Sequence, residues 1–140
     1  MGNINVGRGL LGGLVAGIVM TIGEYILNDK VLAAQMKDYL AAHKFPAPGG
    51  NAVVVAIVMT IILGIVIVLG YAAIRPRFGA GPKTAIIAAL FAWFGVYLYP
   101  NVLGAAFGFV PTNILPIALV WGLVEYCIAA MIGAWLYKEA

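Results

Sequence analysis

The chain has 140 residues, of which 64% are hydrophobic and only 9% charged, with a net charge of +3 and a mean hydropathy of +1.07. A water-soluble domain of this length needs far more polar surface, so lipid is the expected solvent. Eight Lys and Arg against five Asp and Glu are too few and too scattered for a nucleic-acid surface, and a single cysteine, Cys127, excludes a disulfide framework within one chain.

A helix needs about 20 mostly apolar residues to cross a hydrocarbon core of about 30 Å. On that ruler residues 1–140 read as one all-α domain of four transmembrane helices. The first span, residues 8–28, starts at Arg8 and ends at Asn28-Asp29-Lys30. No small-x-small cleavage site directly follows its apolar stretch and Glu24 interrupts its end, so it reads as a retained span rather than a secretory signal.

Over residues 29–45, Leu32, Met36, Tyr39, Leu40 and His43 recur at helical spacing while Lys30, Lys37, Asp38 and Lys44 fall mostly elsewhere. That pattern predicts an amphipathic surface helix between spans one and two; the alternative is that the first helix continues past the interface. The second span, residues 51–74, carries no charge and reads as lipid-compatible filler. It leads into a basic loop with Arg75, Arg77 and Lys83, a topology anchor facing anionic headgroups, with Thr84 as the expected N-cap of the next helix.

From Thr84 to Val124 there is no charged residue, a run too long for one crossing. Pro100-Asn101, Gly104, Gly108 and Pro111-Thr112-Asn113 mark the fold-back. The third span is therefore placed at residues 84–100, with a kinked continuation toward Phe107 as the alternative, and the fourth at 113–137, with Pro116 in the first turn, where its missing N–H costs little. The positive-inside rule favours an orientation with both termini inside: Arg8, Arg75, Arg77, Lys83 and Lys138 then lie inside, and Lys30, Lys37 and Lys44 outside.

Two intramembrane carboxyls stand out, because a carboxylate in lipid costs several kcal/mol unless it is protonated, paired or hydrated. Glu24 shares a helical face with Gly17, Met20 and Thr21, and Gly9, Gly13 and Gly17 form a tandem small-xxx-small face, a glycine zipper. Glu24 is expected about one turn from the outer end of its span. Glu125 lies near the middle of span four, with Ala118, Gly122 and Ala129 around it. Each is followed by a tyrosine, Tyr25 and Tyr126. A buried glutamate near a hydroxyl, or two glutamates sharing a proton, makes a proton site; the alternative is a neutral carboxyl that fixes helix register or pairs with a partner. Whether the two meet is left open by their estimated depths.

His43, the lone histidine, falls in the surface segment, where it can offer a partner's cofactor or a metal only one contact. Two histidines in the membrane core, as a bis-histidine haem needs, are not available, and zinc or iron–sulfur ligand sets are missing. Trp93, Trp121 and Trp135 with the tyrosines read mainly as an interfacial belt, Trp93 and Trp121 being deep enough to wall a pocket. No nucleophile–base pair is legible, so no enzyme activity and no cofactor is expected.

The loop Ile74-Arg75-Pro76-Arg77-Phe78-Gly79 with Gly81-Pro82-Lys83-Thr84, the segment Trp121-Gly122-Leu123-Val124-Glu125 and the end Gly133-Ala134-Trp135-Leu136-Tyr137-Lys138-Glu139 resemble a family of small bacterial four-helix membrane proteins of unassigned activity. The resemblance implies a bacterial cytoplasmic (inner) membrane and carries over no site residues. Two functions fit these features. One is an accessory subunit packing against a larger membrane complex in its lipid or pigment surroundings, without chemistry of its own. The other is a small homo-oligomeric proton-linked transporter or channel using Glu125 and Glu24.

Overall fold

A computed structural model describes residues 3–139. Helix α1 (Val6–Ile26) starts where the Asn5 side chain accepts a hydrogen bond from the Arg8 backbone N–H, an N-cap that satisfies one free donor of the first turn. It does not stop at Asn28-Asp29-Lys30. One π-helical turn, Leu27–Val31, extends the apolar helix over Val6–Val31, and the Asn28 amide donates to the Glu24 carbonyl at 2.8 Å. The short helix α2 (Ala33–Ala42) follows, tied down by Tyr39, whose hydroxyl donates to the Gly108 carbonyl in the loop before the last span.

Helix α3 (Gly50–Phe78) runs past Arg75 with Pro76 inside its last turn, where the missing N–H costs the helix one backbone hydrogen bond. Gly79, at φ +87°, ends it in a backbone region open to glycine. Helix α4 (Pro82–Trp93) begins with Pro82 in its first turn, which moves the expected cap. Thr84 is not the N-cap; it is buried and its Oγ1 donates to the Gly79 carbonyl at 2.6 Å, closing the loop.

The third span passes Pro100 and takes the longer course toward Phe107. A π-helical turn, Phe94–Leu98, passes into α5 (Tyr99–Ala106), making one apolar helix over Pro82–Ala106. In a regular α-helix the Pro100 ring would strike the carbonyl four residues earlier; the wider π turn removes that clash, and the Asn101 amide serves the Tyr97 carbonyl at 2.7 Å. Helix α6 (Leu115–Leu136) carries Pro116 in its first turn. Four helices are thus long and apolar enough to cross a bilayer, and by length and hydropathy this is a multi-pass membrane protein.

The spans pack as a bundle in which α1 lies between α3 and α6, and α4 joins α3 to α6. Apolar surface gains nothing by leaving lipid, so close backbone approach must supply the attraction. Glycines supply it on two faces of α1. A Cβ on Gly9 would stand 2.5 Å from Leu69 Cδ2, and one on Gly17 would stand 2.6 Å from Ile61 Cα. Gly13 meets Ile65 in the same way, so the whole Gly9, Gly13, Gly17 face is filled by α3. The second span is therefore a packing partner of the glycine zipper and not filler, with Gly64 answering against Gly13 and Gly17. On its other face, Gly12 abuts Gly133 of α6, where a Cβ would lie 2.5 Å from the carbonyl oxygen.

Polar side chains tie the basic end. The Asn5 N–H donates to the Tyr137 hydroxyl at 3.1 Å and the Gly81 N–H to the Tyr71 hydroxyl at 3.2 Å. Arg75 pairs with Glu139 at 3.2 Å and stacks over the Tyr137 ring at 5.7 Å. Arg77 and Lys83 stay exposed.

Candidate functional site: an intramembrane carboxyl pair

The Gly12–Gly133 contact sets the register of α1 against α6, and that register brings Gly23 to Glu125. A Cβ on Gly23 would stand 2.5 Å from Glu125 Oε2, so the carboxyl of Glu125 occupies the space that glycine leaves. Glu125 is 6% exposed, halfway along its helix. Glu24, the next residue on α1, is half-buried, and its carboxyl is near enough to that of Glu125 for the two charges to interact. Because α1 continues to Val31, Glu24 lies about 10 Å from the end of its span at about 1.5 Å per residue. That is deeper than a helix ending at Asn28 allows, and deep enough to meet Glu125.

Donors reach one oxygen of each carboxyl. Trp121 Nε1 donates to Glu125 Oε2 and to the Gly23 carbonyl, both at 3.2 Å. Asn28 Nδ2 donates to Glu24 Oε2 at 3.1 Å. The other two oxygens, Glu24 Oε1 and Glu125 Oε1, are buried with no hydrogen-bond partner. A buried acceptor left bare is costly, and two full negative charges this close in a low-dielectric site repel strongly. One proton on either carboxyl supplies an O–H donor and removes one of the charges.

Two tyrosines complete the cluster. Tyr97 is buried and lies near enough to Glu24 to feel its charge, and its ring meets Tyr126 edge-on at 5.6 Å between centroids. Gly122 makes room for it, since a Cβ there would lie 2.7 Å from the Tyr97 ring. Tyr97 sits within the π turn of the third span, and the π turn of the first begins three residues after Glu24; such turns recur at functional sites. Among the described residues no third His, Cys, Asp or Glu joins the pair to form a metal-ligand group.

Of the residues singled out from sequence, Glu24, Glu125 and Tyr126 are brought together and Tyr25 is not. Tyr25 is exposed, with the Lys30 ammonium over its ring at 5.8 Å. Ala118 and Ala129 are buried beside Gly122 on α6. Trp93 donates to the Leu119 carbonyl at 3.0 Å, Trp121 walls a cleft beside Glu125, and Trp135 is exposed. His43 is stacked between Tyr39 and Phe45, with Nδ1 2.9 Å from the Tyr39 carbonyl. Tyr97 and Gly23 were not singled out. The chain matches no family model, no curated protein and no solved structure. Its function is therefore argued from the carboxyl pair.

Proposed function

We propose that this chain is a small proton-linked membrane carrier whose Glu24–Glu125 pair holds the transported or coupled proton. The observation that carries the reading is the pair of unpartnered carboxyl oxygens, Glu24 Oε1 and Glu125 Oε1, buried between α1 and α6. Buried ionisable groups in spans are costly; a proton-holding role uses both carboxyls, where the accessory-subunit reading leaves them to fix helix register or pair with a partner. Four helices are few to enclose a path, so the working unit is a homo-oligomer. The Lys and Arg distribution supports both termini inside.

The mechanism follows from the groups present. With one proton the pair is a hydrogen-bonded monoanion, steadied by Trp121 and Asn28. Asn28 is exposed, so the outer end of α1 is the side from which a proton reaches Glu24. Reconstitution into liposomes tests this: a pH gradient drives flux through the wild type, and Glu125→Gln abolishes it. Unchanged proton-coupled flux in Glu125→Gln contradicts the reading.

A further inference from the structure

A cleft of about 370 Å³ lies at the basic end of the bundle, with neither glutamate of the pair in its lining. Tyr71 and Arg75 of α3, Gly81 before α4, Met131 and Trp135 of α6, and Tyr137 just beyond α6 line it. Its walls are of two kinds. Met131 and Trp135 make an apolar strip, and Trp135 is 80% exposed, which near the end of a membrane-spanning helix means exposed to lipid at headgroup level. Facing the strip stand the Arg75 side chain, which keeps 22% of its surface open, and Tyr71, whose hydroxyl accepts the Gly81 N–H and retains its own O–H to donate.

The charge at this end is nearly all of one sign. Arg8, Arg75, Arg77, Lys83 and Lys138 lie where the four spans begin or end, and Glu139 is the one acidic side chain there among the described residues. Glu139 holds Arg75 loosely: Nη1 and Oε1 are 3.2 Å apart, yet Nη1 makes no hydrogen bond. Glu139 is exposed, beyond the end of α6, and an ion pair so open to solvent contributes little. An incoming anion therefore displaces it at small cost.

We infer that this cleft seats one anionic phospholipid from the leaflet at the basic end, its phosphate on Arg75 in place of the Glu139 carboxylate and its glycerol and first acyl segment along Met131 and Trp135. A guanidinium takes a phosphate through two parallel N–H···O bonds, and basic pockets between spans suit such headgroups. A free phosphate would use the guanidinium but leave the apolar strip bare. A zwitterionic lipid would bring an ammonium in among five basic side chains. A basic surface attracts headgroups at large; a site holds one, and here Arg75 lines it while Arg77 and Lys83 do not.

The test uses the full-length protein in mild detergent, titrated with phosphatidylglycerol, with phosphatidylcholine of the same acyl chains, and with glycerol phosphate as a soluble competitor. Native mass spectrometry reads the lipid retained per protein. Wild type is expected to hold one phosphatidylglycerol at least about tenfold more tightly than phosphatidylcholine, and glycerol phosphate to compete poorly. Arg75→Gln removes the preference, Arg77→Gln, which takes the same charge from the surface, leaves it in place, and Glu139→Gln strengthens it. Trp135→Ala weakens both lipids alike. Equal retention of the two lipids by wild type, equal losses in Arg75→Gln and Arg77→Gln, or competition by glycerol phosphate at the lipid's own affinity overturns the lipid site, the last in favour of a soluble phosphate. Should Arg75→Gln fail to fold, Glu139→Gln decides, and an unchanged phosphatidylglycerol affinity there overturns the site. None of these readouts involves proton-linked flux, so their outcome is separate from that of the Glu24–Glu125 pair.

Discussion

Replacing Gly64 by alanine should drive α1 and α3 apart. The new Cβ would stand 2.6 Å from the Gly13 carbonyl oxygen and from Gly17 Cα, and closer still to the Gly17 nitrogen, where ordinary contact begins at 3.4 Å. The obstruction is backbone, which no rotamer change relieves. Separation by about 1.1 Å, or an equivalent tilt, costs on the order of 1–3 kcal/mol by analogy with overpacked cores, about 5- to 150-fold in the folding equilibrium. Gly70→Ala, on the same helix but with nothing near its Cβ position, serves as control. Unfolding in mixed micelles of mild detergent and dodecyl sulfate, followed by tryptophan fluorescence, measures both. Gly64→Ala should unfold at a clearly lower dodecyl sulfate fraction than Gly70→Ala. Coincident transitions would refute the zipper.

Trp121→Phe removes the N–H shared by the Gly23 carbonyl and Glu125 Oε2, and should lower stability by about 1–3 kcal/mol in the same assay. Gly122→Ala pushes the Tyr97 ring off the carboxyl pair, and should slow proton-linked flux in liposomes where Gly95→Ala, in open space, leaves it unchanged. Tyr39→Phe deletes the link from α2 to Gly108. At about 1 kcal/mol for that bond, amide exchange across Ala33–Ala42 should quicken about fivefold with the spans unaffected.

The spans were legible because hydropathy and length speak directly to bilayer thickness. Their ends were less so. Asn28-Asp29-Lys30 and Pro100 both carry stop signals, yet a π turn at each site carries the helix onward, and a π turn has no residue pattern as plain as a capping box. Those turns are what hid the site. With the first span ending at Asn28, Glu24 stands about one turn from the surface, several residues shallower than Glu125, and their meeting stays open. With the third ending near Pro100, Tyr97 resembles a belt aromatic. The glycine faces were visible as patterns, but which neighbour each would meet was not, since small-xxx-small spacing marks a close approach without naming the helix. Gly23 was overlooked because it lies off the four-residue spacing; its position directly before Glu24 was the available signal.

Glu24 and Glu125 act as one proton-holding unit in this proposal, and a double-mutant cycle tests that most directly. Proton uptake by the empty protein is measured for wild type, Glu24→Gln, Glu125→Gln and the double variant. Glutamine keeps the shape and can donate a hydrogen bond to the remaining carboxyl, so the folds should survive. If the two carboxyls share one proton, each single variant loses as much as the double, and the effects are strongly non-additive. Two independent, additive losses would contradict the pair.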